Sequence, residues 1–152
     1  LIEEAIELQS LMREAVIKDA AAYEAYMKAR RLPQETEQQK SERINAIQAA
    51  SINAAEVPLE VARTALHILS LAVRAAELGN VNAVSDAGTG GALARAAIRG
   101  AGLNVRINLL GMEKESEPAR MLNELRLIER QMEKHETALQ NILVERGGFS
   151  FS

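Results

Sequence analysis

Hydrophobic residues recur along the chain at intervals of three and four, which is the spacing of one face of an α-helix. This pattern predicts about five helices, over residues 1–31, 36–57, 58–78, 87–110 and 116–146. No segment shows the apolar and polar alternation that is typical of a half-buried strand. We therefore expect an all-α fold, a multihelical bundle in which residues 1–152 form a single domain.

Proline and capping residues set the predicted helix boundaries. Leu32-Pro33 should end the first helix, because the residue before a proline disfavours the α region. Thr36 and the glutamine three residues later have the spacing of a capping box, so the second helix should begin there. Val57-Pro58 predicts a further break, with the proline in the first turn of the third helix.

The composition indicates close helix packing. Hydrophobic residues make up 47% of the chain but aromatic residues only 3%, so the core must consist of aliphatic side chains and many alanines. The predicted helix 87–110 is also rich in glycine, which weakens an isolated helix but lets another backbone approach. We expect tight packing through Ala/Gly-rich faces and an oligomeric assembly.

Charge and residue content make several classes of protein improbable. The net charge of −3 gives no electrostatic footprint for nucleic acid. The chain has no cysteine, which rules out a thiolate metal site and fits a cytoplasmic protein. No apolar run approaches the ~18 residues of a membrane span, and no signal peptide is visible. We expect the glycine-containing tail, residues 147–152, to be frayed or docked on a partner.

Asp19 is the most informative single residue. A helix over residues 1–30 has an apolar stripe made of Leu1, Ala5, Leu8, Met12, Ala15, Tyr23 and Tyr26. Asp19 falls within this stripe, where a carboxylate is costly unless it is paired, hydrogen-bonded or protonated. Such carboxylates are enriched at sites of proton chemistry. The alternatives are that Asp19 pairs with a cation of another helix, or that this helix face is partly wet.

Several polar residues could join Asp19 in a site. Tyr23 lies one turn away and could orient the carboxylate, or could simply pack on its neighbour. Asn104 and Asn108 share a helix face and suggest buried hydrogen-bonding groups. Asn82 and Asp86, at the head of the same helix, would add donors and acceptors, and either Ser85 or Asp86 should cap that helix. Polar contacts between helices of an oligomer explain the asparagines almost equally well.

Four stretches carry a resemblance to a known family. They are Asp19-Ala20-Ala21-Ala22-Tyr23 with Arg31-Leu32-Pro33, Val57-Pro58-Leu59-Glu60-Val61-Ala62, Gly79-Asn80-Val81-Asn82-Ala83-Val84-Ser85-Asp86 and Gly100-Ala101-Gly102-Leu103-Asn104-Val105-Arg106-Ile107-Asn108-Leu109. In order and spacing they resemble the cyclodeaminase/cyclohydrolase family of folate enzymes. That family includes formiminotetrahydrofolate cyclodeaminase and methenyltetrahydrofolate cyclohydrolase.

The resemblance implies a tetrahydrofolate substrate and no metal or nucleotide cofactor. It also implies a homodimer or higher homo-oligomer, with a formiminotransferase domain or enzyme as a further expected partner. The family's catalytic aspartate carries over onto Asp19. By this reasoning Tyr23 orients Asp19, and the substrate contacts are Asn82, Asp86, Asn104 and Asn108.

The chain departs from the family in two places. Members usually begin with a Pro-Gly-Gly-Gly-Ser segment and an Ala/Gly-rich helix, so we expect this sequence to lack the family's N-terminal segment. The lysine often seen after the Leu-Pro pair is Gln34 here, so Arg30, Arg31 or Arg106 would have to bind the anionic glutamate tail. We interpret the chain as a cyclodeaminase, with a cyclohydrolase or a non-catalytic helical assembly module as the alternatives.

Overall fold

The computed structural model describes residues 1–148 and 150, and in this part of the chain four long α-helices form the fold. They are α1 (Ile2–Arg30), α2 (Glu37–Leu78), α3 (Val84–Asn108) and α4 (Ser116–Gly147), with a short 3₁₀ turn at Val81–Ala83 before α3. No strand occurs among the described residues, so the all-α prediction is confirmed with four helices instead of about five. Part of the tail 147–152 lies outside the described residues.

The difference in helix count comes from Pro58, which lies inside α2 and does not end a helix there. The predicted break at Val57-Pro58 is therefore wrong. A proline inside a helix removes the N–H that would bond the carbonyl four residues earlier, here that of Ala54. The side-chain amide of Asn108 donates to this carbonyl instead, at 3.2 Å, so the acceptor is satisfied and α2 continues.

The start of α2 agrees with the prediction, whereas the start of α3 does not. Thr36 caps α2 in a complete capping box with Gln39. In contrast, α3 begins at Val84 without a side-chain cap, so the predicted caps Ser85 and Asp86 lie inside its first turn. The 3₁₀ turn before α3 explains this, because Asn80 caps that turn by accepting a bond from the Asn82 N–H at 3.0 Å.

α2 is the central helix and packs against each of the other three. Its neighbours α1 and α3 run antiparallel to it, whereas α4 runs parallel to it and antiparallel to α3. The main hydrophobic core lies between α2, α3 and α4, and Leu59, Leu69, Ile98, Leu125 and Met132 are among its fully buried side chains. None of these four helices is both long and apolar enough to cross a membrane in the described chain.

Glycines and ion pairs join α3 to α4. A Cβ at Gly91 would collide with the end of the Leu139 side chain, and one at Gly88 would press on that of Leu143, so the two glycines let these leucines pack directly on α3. Along the same flank α3 supplies arginines and α4 supplies glutamates, in the pairs Arg95–Glu136, Arg99–Glu133 and Arg106–Glu129. The prediction of close packing through small residues is confirmed at this interface.

Arg146, in the last turn of α4, reaches the C-terminal end of α2. Its guanidinium donates to the carbonyl oxygens of Ala76, Glu77 and Gly79. These carbonyls have no partner within α2, because the last turn of any helix leaves its acceptors open. Arg146 therefore fastens the end of α4 to the end of α2.

α1 packs on α2 at the edge of this core. Its fully buried residues recur every seven positions, at Leu8, Ala15, Ala22 and Ala29, and only Met12 of this helix packs against the main core. The residues of α1 outside this buried row therefore do not pack closely against α3. A groove remains between the two parallel helices, with α2 as its floor.

Candidate active site

The groove between α1 and α3 contains two adjoining cavities. The first has a volume of about 380 Å³ and is lined by Asp19, Ala22, Tyr23, Tyr26, Ser51, Ala54, Asn104, Ile107 and Asn108. The second has a volume of about 370 Å³ and is lined by Met12, Ala15, Val16, Asp19, Val57, Pro58, Val61, Ala97, Ala101 and Asn104. We call them the polar cavity and the apolar cavity. Asp19 and Asn104 line both, from opposite walls.

Asp19 is not a core residue. Its side chain is exposed, and no charged or polar residue is fully buried in the described part of the chain, so the predicted burial of Asp19 is wrong. The physical reason is the position of α1 outside the core, because the helix face between Ala15 and Ala22 meets the groove and not a neighbouring helix. The carboxylate borders both cavities.

Asp19 also has no cationic partner among the described residues, so the structural ion pair considered as an alternative does not form within them. No salt bridge or hydrogen bond joins its carboxylate to another side chain within residues 1–148 and 150. The adjacent Lys18 points to the other edge of α1, where its Nζ lies 2.7 Å from the Glu60 carboxylate. The hydrogen bond to Glu60 raises the pKa of Lys18. A carboxylate without a protein partner remains available to a ligand.

Two tyrosines close one end of the groove. Tyr23, one turn after Asp19, lines the polar cavity and is 63% exposed. Tyr26 is half-buried in the same cavity, and the Arg30 guanidinium lies 6.0 Å from the centre of its ring. The pairing of Asp19 and Tyr23 on one wall of a cavity agrees with the prediction.

Asn104 and Asn108 share the facing wall, as their spacing predicts, but Asn104 is exposed and Asn108 only partly buried, so the predicted burial of these amides is wrong. Asn108 is held in place by its bond to the Ala54 carbonyl, which exists because Pro58 cannot donate to that oxygen. The proline of α2 therefore positions an amide of α3. Ile107 also lines the polar cavity.

Three of the other predicted contacts lie away from the groove. Asp86 lies in the first turn of α3, and Asn104 lies in its last two turns. At the rise of an α-helix the two residues are about 27 Å apart along the helix axis. Asn82 lies in the turn before Asp86. Arg106 faces α4, where it pairs with Glu129 at 2.8 Å and donates to the Gly102 carbonyl. The prediction that Asn82 and Asp86 lie in one pocket with Asn104 is wrong within this chain, because residues on one helix can be several turns apart. Arg106, expected as a possible contact of the glutamate tail, is instead engaged by Glu129 on the opposite flank of α3.

Arg31 lies outside the groove, and two residues that were not predicted lie inside it. Arg31 is the exposed residue that ends α1, and it lines neither cavity. Ser51 and Ala54 line the polar cavity but were not predicted. A usable signal existed, since in a helix that continues through Pro58 Ser51 lies two turns earlier on the same face.

The ion pairs of Arg63 lie outside the groove. Arg63 of α2 bonds Glu124 of α4 at 2.6 and 3.0 Å, and it bonds Glu56 at 2.8 Å. The hydrogen bonds from Arg63 lower the pKa of Glu124. These charges are mutually satisfied, whereas the groove combines one unpaired carboxylate with neutral amides and hydroxyls.

Comparison with known structures identifies the class of fold. The chain resembles the crystal structure of formiminotetrahydrofolate cyclodeaminase from Thermotoga maritima, with a TM-score of 0.81 and 28% sequence identity. The match covers 95% of this chain and 68% of that one. The fold is therefore that of an all-helical cyclodeaminase.

Sequence comparison then gives the family. The model of the family described as Formiminotransferase-cyclodeaminase matches residues 1–127, and the chain belongs to this family. It is 34% identical to a methenyltetrahydrofolate cyclohydrolase of Methylorubrum extorquens over 125 residues, which are 82% of this chain and 60% of that enzyme. It is also 34% identical to the formimidoyltransferase-cyclodeaminase of Gallus gallus over 97 residues, 64% of this chain and 18% of that protein. The chain thus spans less than two thirds of the length of these relatives, and the relatives are named as enzymes of folate chemistry.

Proposed function

We propose that this protein cyclises 5-formiminotetrahydrofolate to 5,10-methenyltetrahydrofolate with release of ammonia. The observation that carries the proposal is the Asp19 carboxylate, which has no partner among the described residues and borders both cavities of the groove. The cavity volumes of about 380 and 370 Å³ lie within the ~300–1,000 Å³ range of small-molecule sites. The names of the Methylorubrum and Thermotoga relatives supply the folate class of substrate.

The proposed reaction needs one group that exchanges protons and stabilises positive charge. N10 attacks the formimino carbon carried by N5, a new N10–C bond forms, and the N10 proton passes to the Asp19 carboxylate. Asp19 returns this proton to the former imino nitrogen, and a further proton from solvent lets that nitrogen leave as ammonia when its bond to carbon breaks. The product cation then lies beside the carboxylate, which favours it electrostatically.

The neighbouring polar groups have supporting roles in this proposal. Tyr23 orients Asp19 from the same wall of the polar cavity, and Asn104 and Asn108 bind the substrate from the facing wall. Asn82 and Asp86 have no role because they lie at the far end of α3, and Arg106 has none because Glu129 engages it. The absence of a metal or nucleotide cofactor stays a prediction.

Hydrolysis of 5,10-methenyltetrahydrofolate is the second candidate reaction, and it is favoured by the name of the Methylorubrum relative. Asp19 would then take a proton from water as the water oxygen attacks the methenyl carbon. Asp19 passes this proton to N5 as the bond between N5 and the carbon breaks, the hydroxyl on that carbon loses its proton to solvent, and the product is 10-formyltetrahydrofolate. Both reactions use the same carboxylate, and 5,10-methenyltetrahydrofolate is the product of one and the substrate of the other, so the groove accommodates either.

An activity assay tests both candidates. The protein is mixed separately with 5-formiminotetrahydrofolate and with 5,10-methenyltetrahydrofolate, and the near-ultraviolet absorbance of the methenyl species is followed. We expect that absorbance to rise with the first substrate, together with equimolar ammonia. Loss of absorbance with the second substrate alone supports the cyclohydrolase. No change in either mixture from a folded protein contradicts enzymatic function and supports the assembly module.

We further propose a homo-oligomer, with a second copy of the chain as the partner. α3 and the turn that follows it carry an exposed apolar row, made of Leu93, Leu103, Ile107 and Leu110, with Gly100 in open space near its middle. Large exposed apolar patches mark interaction surfaces.

The chain contains no cysteine, so an introduced thiol reports this contact directly. Gly100→Cys, which sits at the middle of the row, should form a disulfide-linked dimer under mild oxidation. Ala25→Cys on exposed α1 is the control and should stay uncoupled. A monomer by light scattering, with no cross-link at residue 100, contradicts the proposed interface.

A further inference from the structure

The groove separates its hydrogen-bonding groups from its apolar groups along its length. On α1 the apolar cavity uses residues from Met12 to Asp19, and the polar cavity uses residues from Asp19 to Tyr26. On α3 the same order runs from Ala97 to Asn104 and then from Asn104 to Asn108. Because α1 and α3 run parallel, both walls change character at the same level, at Asp19 and Asn104.

A folate has the same division. Its pterin ring carries donors and acceptors along one edge, and its aminobenzoyl ring is apolar on both faces. The two nitrogens that react, N5 and N10, lie between these ring systems. A substrate extended along the groove therefore has its reacting atoms level with Asp19 when one ring system occupies each cavity.

The distribution of polar side chains decides which ring occupies which cavity. Ser51, Asn108, Tyr23 and Tyr26 line only the polar cavity, whereas the apolar cavity has no polar side chain beyond the shared Asp19 and Asn104. Buried polar edges of a ligand need hydrogen-bond partners, and an unmatched polar group costs binding free energy. We propose that the polar cavity binds the pterin ring and the apolar cavity binds the aminobenzoyl ring, an assignment that rests on the proposed folate function.

The orientation has a consequence for the anionic glutamate tail. The tail follows the aminobenzoyl ring, so it leaves the groove toward the N-terminal part of α1. Arg13 is exposed in that part, directly after Met12 of the apolar cavity. Arg30 and Arg31 lie at the opposite, tyrosine end, so the reversed orientation would direct the tail to them.

Matched steric variants test the assignment of the rings. Ser51→Leu enlarges a side chain in the polar cavity, Ala97→Leu enlarges one in the apolar cavity, and Ala25→Leu on exposed α1 is the control. The ligands are 5-formyltetrahydrofolate and two fragments, 5-formyl-6-methyltetrahydropterin and p-aminobenzoylglutamate, measured by calorimetry or by competition. We expect Ser51→Leu to weaken the pterin fragment by roughly tenfold or more and Ala97→Leu to do so for the aminobenzoyl fragment.

The outcomes separate this inference from the proposed function. Both leucine variants should weaken intact 5-formyltetrahydrofolate, and Ala25→Leu should weaken nothing. The opposite pairing of fragments with variants, or equal weakening of both fragments by each variant, overturns the orientation while leaving the folate function in place. Failure of the unmodified protein to bind intact 5-formyltetrahydrofolate overturns the function and the orientation together.

A pair of arginine variants tests the direction of the tail without adding bulk to the groove. Adding a second glutamate to the folate should increase affinity for the unmodified protein. Arg13→Ala should abolish this increase and Arg31→Ala should keep it, since only Arg13 lies at the expected exit. Loss of the increase in Arg31→Ala with retention in Arg13→Ala reverses the assignment.

Discussion

The two flanks of α3 carry polar residues of very different kinds. The flank toward α4 has arginines, each paired with a glutamate of α4, and two glycines that let the helices touch. The flank toward α1 has Asn104 and Asn108, which face an open groove and an unpaired carboxylate. Charged residues with partners hold the bundle together on one side, and polar residues beside a cavity form the candidate site on the other. Whether a polar side chain has a partner therefore distinguishes a structural role from a functional one more clearly than its residue type does.

The largest effect should come from Asp19→Asn, which removes the only carboxylate lining the two cavities. We expect turnover to fall by about 10²–10⁴, the usual contribution of a general acid–base group, while folate affinity and stability are kept. Steady-state rates and a ligand titration measure this. Glu24→Gln makes the same chemical change at an exposed position of α1 and should leave the rate unchanged. A near-normal rate for the Asp19 variant would remove this residue from the mechanism.

A second test asks whether the flank of α3 toward α4 contributes to stability and not to turnover. Arg106→Met leaves the Glu129 carboxylate, whose side chain is only 17% exposed, without its partner. We expect a loss of about 1–3 kcal/mol in the free energy of unfolding, measured in urea, with normal turnover of the folded protein. Arg99→Met, which breaks the exposed 3.5 Å pair with Glu133, should cost much less. Lost turnover at unchanged stability would instead make Arg106 a substrate contact.

Pro58→Ala tests the link between α2 and the amide of Asn108. The new N–H can donate to the Ala54 carbonyl, and it then competes with the Asn108 amide for that oxygen. We expect folate affinity to fall by about twofold to tenfold, the range of one neutral hydrogen bond, with little loss of stability. Pro118→Ala, in the first turn of α4, is the control because a proline there withholds no needed donor. Equal affinities in the two variants would show that Asn108 does not depend on Pro58.

The smallest effect concerns acid stability. Arg63 lowers the pKa of Glu124 in the folded protein, so this pair stabilises the fold above the unfolded-state pKa of about 4.5, and the stabilisation is lost as the pH falls through the folded value. We expect the loss to be about 1 kcal/mol, since both side chains are partly exposed. Unfolding at pH 7 and at pH 3 measures it. Glu124→Gln should flatten this pH dependence, and an unchanged slope would show that the pair contributes nothing.

Local sequence signals predicted the elements better than their connections. The cap at Thr36 and the helical periodicity of α2 were predicted correctly, because capping and periodicity act within a few residues. Pro58 was misread because its helix survives through a bond from Asn108, a residue of another helix. No local rule contains that contact.

The candidate site was predicted in part for the same reason. Asp19 and the two asparagines were found because a polar residue within an apolar pattern is visible in the sequence. Arg106 was misplaced because its partner Glu129 belongs to α4, and Asp86 because sharing a helix with Asn104 does not mean sharing a pocket. Ser51 was missed because the false break at Pro58 separated it from the face to which it belongs.

The hydrogen bonds from Arg146 to the end of α2 have a consequence for synthesis on the ribosome. The three carbonyls that it binds belong to a helix completed nearly seventy residues earlier in the chain. Until the last turn of α4 has emerged, those oxygens have only water as a partner, and the adjoining Asn80–Asp86 turn has a loosely anchored start. Nascent chains whose Arg146 is still inside the ribosomal exit tunnel should therefore be cut by protease near residue 79, and chains long enough to carry Arg146 out of the tunnel should resist it.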